Sequence, residues 1–160
     1  MKANILNPFL DSAISIIKEV SNISPKRGTL ELKKNTVYLN GIAAIVGITG
    51  DLSGRMLIDF DIPTALKISS VMNMTDFTEI TDMVRSTIQE LANMISGRAI
   101  TTLNNSGFNL DITPPTICEG KDTLITNANL SVISIPFSSE IGDFYVNLAV
   151  IESTKNHKGF

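Results

Sequence analysis

The chain has 160 residues, 43% of them hydrophobic and 18% charged, with a formal net charge of −3 at pH 7. That is the composition of a folded domain with a substantial core, and it excludes a disordered segment. The acidic balance, with no long basic run, argues against a nucleic-acid partner, and no stretch reaches the roughly 20 apolar residues a membrane-spanning helix needs. The single cysteine, Cys118, rules out an internal disulfide framework and suits the cytoplasm.

Taken in chain order, Asn7-Pro8 offers a helix start, with Asn as cap and Pro at the first helical position. Phe9, Leu10, Ala13, Ile14, Ile17 and Val20 follow as one apolar stripe that ends before Pro25. The opening "MKANILNPFLDSAISIIKEV" is interrupted by Asn7, Pro8, Asp11 and Lys18, so it reads as an amphipathic helix and not as a signal-peptide core. "TLELKKNTVYLN", "GIAAIVGITG" and "GRMLIDFDI" read as strands, the last two joined in a hairpin by "GDLSG". "IPTALKISSVMN" reads as a short helix capped by Asp61. "MTDFTEITDMVRSTIQELANMISGRAITTLNNSG" reads as one long helix, started by Thr75 or Asp76 and stopped between Asn104 and Gly107. "FNLDITPPTICEG", "TLITNANLSVISIPF" and "DFYVNLAVIES" read as strands. Residues 1–154 then form one domain, and 155–160 a flexible C-terminal tail. Short connections between successive strands predict antiparallel pairing, so the fold class is α+β: an antiparallel sheet packed with two long helices and one short helix.

The long helix carries an arrangement with chemical interest. Phe77, Ile80, Val84, Ile88, Leu91, Ile95 and Ala99 follow steps of three and four and should face the sheet. The opposite stripe is Asp82, Ser86, Glu90, Asn93 and Gly97. At about 100° per residue, Glu90 and Asn93 lie roughly 60° apart, with Ser86 and Gly97 one turn before and after. Asn is a poor helix former, because its amide competes for backbone hydrogen bonds. Gly97 costs the helix about 1 kcal/mol relative to Ala, and leaves a flat place for close approach. A polar stripe on a surface helix is ordinarily a solvated face. An acid and an amide without a histidine are weak as a catalytic base, but they can position: Glu holds a cation, and Asn donates to and accepts from one water. Such a site needs a second molecule to supply the reacting group.

The pattern "STIQELAN", Ser86–Glu90–Asn93, followed by "DITPPT" with Pro114 and Pro115, resembles the CheC/CheX/FliY family of bacterial chemotaxis phosphatases. "NPFLDSAISIIKEV", "VGITGDLSGRMLIDFDIPTALKISSVM" and "DITPPTICEG" extend the similarity over most of the chain, most closely to the CheX branch. The resemblance implies a CheC/CheX-like α+β fold and a phosphatase acting on the aspartyl phosphate of the response regulator CheY. It implies that Glu90 anchors the partner's lysine and that Asn93 orients the attacking water, with Ser86 and Gly97 as partner-binding positions. It also implies a homodimer with no cofactor of its own, the magnesium ion residing in phosphorylated CheY or another receiver domain. The alternative of a different class is a non-catalytic binding module for a response regulator or flagellar switch component.

A second copy of the short motif, Ser15, Glu19 and Asn22 in "SIIKEVSN", lies in the first helix. Asn22 is followed by Ile23, Ser24 and Pro25, so the helix ends there, and Asn suits the left-handed residue that closes a helix. The CheX branch has a single active helix, so Glu19 and Asn22 read as structural. "GITGDLSGR" lacks the Gly-Lys-Ser/Thr ending of a phosphate loop and reads as a hairpin turn. Cys118 and His157 have no metal-ligand spacing around them; they read as a packed strand residue and a tail residue. Met72, Met74, Met83 and Met94 read as core filler.

Overall fold

A computed structural model describes residues 1–154; the tail 155–160, with His157, lies outside the described residues. The elements are α1 (Ala3–Ser21), β1 (Lys26–Arg27), β2 (Glu31–Lys33), β3 (Thr36–Tyr38), β4 (Gly41–Gly50), β5 (Leu52–Asp61), α2 (Ile62–Asn73), α3 (Asp82–Asn105), β6 (Leu110–Ile112), β7 (Thr116–Glu119), β8 (Leu124–Thr126), β9 (Val132–Ser139) and β10 (Gly142–Glu152). The main sheet runs β1-β9-β10-β5-β4-β6, with β2 beside β1 on β9 and β7 beside β6 on β4. Its pairings are antiparallel, and a separate ribbon pairs β3 with β8.

Alternation along the two central strands sorts the sheet into two faces. Ile42, Ala44, Val46 and Ile48 of β4 and Met56, Ile58 and Phe60 of β5 join one large core with residues of all three helices. In that core the Phe144 ring stacks between Phe60 and Phe137, with centroids 5.3 and 5.0 Å away. The intervening residues Ala43 and Leu57 face the other way, packed with Leu39 against Ile45, Cys118 and Ile125. The β3–β8 ribbon contributes Ile125 to this second layer, and Arg55 of β5 pins the ribbon by donating to Asn127 Oδ1 and to the Thr126 carbonyl. Asp59, fully buried on this face, accepts from the Asn40 backbone N–H at 2.9 Å and from Asn40 Nδ2 at 2.7 Å.

Two helix starts differ from the sequence expectation. The first helix begins at Ala3 and not at an Asn7 cap, because Ile5 and Leu6 are buried and their burial carries an extra turn. Pro8 therefore sits inside the helix, where its ring nitrogen cannot donate to the preceding turn. The long helix begins at a Thr81 cap, whose Oγ1 accepts from Val84 N at 3.3 Å, and not at Thr75 or Asp76. Met74 closes α2 in the left-handed conformation, φ 49°, and Ser70 Oγ then takes the N–H of Phe77 at 3.0 Å. Phe77 and Ile80, expected on the helix, are half-buried residues of that connection. Of the four methionines, Met72 and Met94 pack against the core, whereas Met74 and Met83 are exposed. Three segments read as strands are each broken in two: residues 29–40 into β2 and β3, 108–120 into β6 and β7, and 123–137 into β8 and β9, with β3 and β8 leaving the main sheet. Asp61 caps α2 by accepting from Thr64 N, the β4–β5 hairpin forms, and α3 ends at Asn105, as expected.

The rim of the sheet beside α3 has an irregularity. Ile48 pairs with Ile112 and Ile45 with Thr116, so Thr113, Pro114 and Pro115 oppose only Val46 and Gly47. This one-residue bulge keeps both Ile112 and Ile117 packed toward the helix-side core, which strict alternation would forbid at a spacing of five. Thr113 anchors it: its N–H donates to the Gly47 carbonyl at 3.0 Å, and its hydroxyl accepts from Gly47 N at 2.8 Å. The two prolines have no N–H to leave unpaired.

Candidate active site

The core face of α3 fixes which side chains look outward. Val84, Ile88, Leu91, Ile95 and Ala99 are fully buried, as expected from their spacing. Ser86, Glu90 and Asn93 are exposed on the opposite side, and Gly97 is half-buried one turn further on. The structure thus brings all four predicted residues onto one strip. An added Cβ at Gly97 would meet nothing within 4 Å, and its backbone is ordinary helix, so neither packing nor conformation in this chain requires a glycine there.

The strip forms one wall of a cleft of about 530 Å³. Ser86, Gln89, Glu90 and Asn93 line it from α3, and Ile112, Thr113, Pro114 and Pro115 line it from the bulged rim. Among the described residues, neither the Glu90 carboxylate nor the Asn93 side-chain amide has a hydrogen-bond or ion-pair partner; only the Asn93 backbone carbonyl is used, by Ser96. Both groups stand free at the surface, where a carboxylate can accept a cation and an amide can both donate to and accept from a water. The neighbours on the same helix are engaged. Arg85 bonds Glu119 of β7 and, at 2.7 Å, Asp82, while Gln89 Nε2 donates to the Pro115 carbonyl at 3.2 Å.

The second copy of the motif is placed differently. Arg98 of α3 grips the Glu19 carboxylate through two bonds of 2.6 and 2.9 Å and also donates to Ser15 Oγ at 3.1 Å. That guanidinium holds the Glu19 carboxyl below the usual carboxylate range. Asn22 is the left-handed cap of α1, φ 59°, its N–H bonded to the Lys18 carbonyl at 2.8 Å. So the structure presents Glu90 and Asn93 and ties up Glu19.

Three lining residues escaped the sequence reading: Gln89, Ile112 and Thr113. Gln89 stands four residues before Asn93, which puts it on the same ridge of the helix. Cys118 lies half-buried on β7 in the second layer, as a packed strand residue. Among the described residues no cluster of three or more His, Cys, Asp or Glu is arranged to hold a metal ion, and no helix is long and apolar enough to cross a membrane.

A family model described as chemotaxis phosphatase CheX matches residues 42–138. The chain belongs to the CheX family. The match runs from β4 into β9, so it includes α3 and the whole cleft, while α1 with its second motif lies outside it. Within this family, the chain is 32% identical over 154 residues to a protein of Thermotoga maritima named CheY-P phosphatase CheX, covering 94% of this chain and 97% of that one. It is 34% identical to the CheX of a CheX–CheY–BeF3–Mg complex from Borrelia burgdorferi, with a TM-score of 0.80 and coverage of 92% and 97%. A CheC-like superfamily protein from a Shewanella species superposes with a TM-score of 0.87 at 29% identity, over 94% of this chain and 99% of that one.

Proposed function

We propose that this CheX-family chain is a phosphatase that hydrolyses the aspartyl phosphate of CheY and so ends the response regulator's signal. The observation that carries the reading is the contrast between the two motif copies: Glu90 and Asn93 are free over a cleft, whereas Glu19 is held by Arg98. Two relatives support the substrate, one named a CheY-P phosphatase and the other seen in a complex with CheY.

In this reading Glu90 pairs with the receiver's lysine and fixes the docked α3 strip in register. Asn93 reaches the receiver's phosphorylation pocket and holds a water in line with phosphorus. The water oxygen bonds to phosphorus as the bond to the aspartate oxygen breaks, leaving a carboxylate and inorganic phosphate that carries the water's protons. An amide neither takes nor gives up a proton at neutral pH, so Asn93 acts by orientation. That suits phosphoryl transfer, where alignment and charge stabilisation supply most of the acceleration. Ser86 flanks the contact and Gly97 gives the receiver clearance. The phosphoaspartate, the lysine and the magnesium ion belong to the receiver. The working species is a homodimer, as the family resemblance implies, and its single cysteine suits the cytoplasm; light scattering of the purified chain tests the oligomeric state.

The test is the decay of acetyl-phosphate-labelled CheY with and without the chain, beside a panel of other phosphorylated receivers. Accelerated release of phosphate from CheY is expected. Measurable binding with unchanged decay would replace the enzyme with a non-catalytic binding module.

A further inference from the structure

The wall opposite Glu90 and Asn93 is built from a segment with little to hold it. Pro114 and Pro115 donate no hydrogen bond, and they sit where the β4 ladder is interrupted between Ile112 and Thr116. Thr113 ties the start of the segment to Gly47. The Pro115 carbonyl is not part of the ladder to β4; it accepts the Nε2 donor of Gln89 on α3, at 3.2 Å. Arg85, Gln89 and Asn93 follow one another at intervals of four along one ridge of α3. The first two of that ridge bond the β7 side of the cleft, at Glu119 and Pro115, and the third is the free amide. Gln89 therefore bridges the two sides of the cleft, linking the helix that carries the reactive pair to the wall facing it.

We propose that Gln89 is a positioning residue that sets the width of the cleft, by holding the Pro114–Pro115 wall at a fixed distance from Glu90 and Asn93 so that the receiver's loops enter in one orientation; this rests on the hydrolytic reading above. A strut of this kind acts on docking and leaves Glu90 and Asn93 on the same rigid helix. Its loss thus raises KM and spares kcat.

The experiment compares Gln89→Met and Gln89→Glu, which keep side-chain length without a donor, against the unaltered chain in steady-state hydrolysis of phosphorylated CheY. The expected result is a KM raised about tenfold with kcat within about threefold of the original, the split that marks lost ground-state binding. In the free protein, the backbone amide signals of Thr113 and Thr116 should broaden or shift by NMR while the helical circular dichroism stays the same. An unchanged KM in both variants, or a loss of kcat at constant KM, overturns the proposal. If the unaltered chain hydrolyses nothing, the hydrolytic reading fails, and the NMR comparison still decides whether Gln89 fixes the wall.

Discussion

Arg98 and Glu19 form a two-pronged ion pair between α3 and α1, with N–O distances of 2.6 and 2.9 Å. It lies on the helix that carries Glu90 and Asn93, and it occupies the carboxylate of the only other copy of their motif. Asn22→Gly and Glu19→Gln should therefore leave most of the rate of CheY dephosphorylation intact, since Arg98 holds Glu19 and Asn22 stands outside the helix as its left-handed cap. Phosphate release from labelled CheY measures this, and losses matching those at Glu90 and Asn93 would refute the single-site reading.

The two residues of the working pair should fail in different ways. If Asn93 orients the water as proposed, Asn93→Ala should lower kcat by about a hundredfold or more, while binding of beryllofluoride-loaded CheY stays within about threefold. If Glu90 pairs with the receiver's lysine as proposed, Glu90→Ala should weaken that binding about tenfold. Titration calorimetry beside the hydrolysis assay separates the two. Identical profiles would merge the roles assigned to them.

Gly97 sets fold stability against docking. With open space around its missing Cβ and a helical backbone, Gly97→Ala should stabilise the chain by about 1 kcal/mol and raise the melting temperature by a few degrees. In the docking proposed above, the same methyl group takes the receiver's clearance and should raise KM. A variant that melts higher and works equally well would remove Gly97 from the contact.

Asp59 gives a stability prediction away from the site. Burial pushes its carboxyl up from 3.8 to about 6, against the lowering effect of the Asn40 hydrogen bonds. Because the folded form holds the proton more tightly, this group's contribution is complete below about pH 3.8 and is lost as pH rises through about 6. The gap corresponds to at most about 3 kcal/mol. Denaturant unfolding at pH 4.5 and pH 7.5 should show Asp59→Asn gaining relative to the original chain at the higher pH. Parallel pH curves for the two proteins would refute it.

The core-facing side of α3 and its outer strip were legible because a 3.6-residue period survives in Val84 through Ala99 with no competing signal. The start of that helix was not, because Phe77 and Ile80 keep the period by chance while Met74 turns left-handed and Ser70 captures the next N–H. A left-handed methionine has no sequence signature. Likewise the extra turn before Pro8 depends on the burial of Ile5 and Leu6, a tertiary effect. Asn22 as a cap was readable from Pro25 three residues on. The capture of Glu19 by Arg98 was not, since 79 residues separate them. The opposite wall of the cleft was readable only as a pair of prolines; their place across from Asn93 follows from the register of β6 and β7 on β4.

The bulge at Thr113–Pro115 has a consequence for the kind of molecule that can settle there. Two successive imide nitrogens leave that part of the outer β-layer with no amide protons to offer, so another chain cannot extend the sheet by strand addition at this point. The surface is thereby guarded against sticking to copies of itself. Whatever lodges beside α3 must be chosen by shape and by the chemistry of side chains.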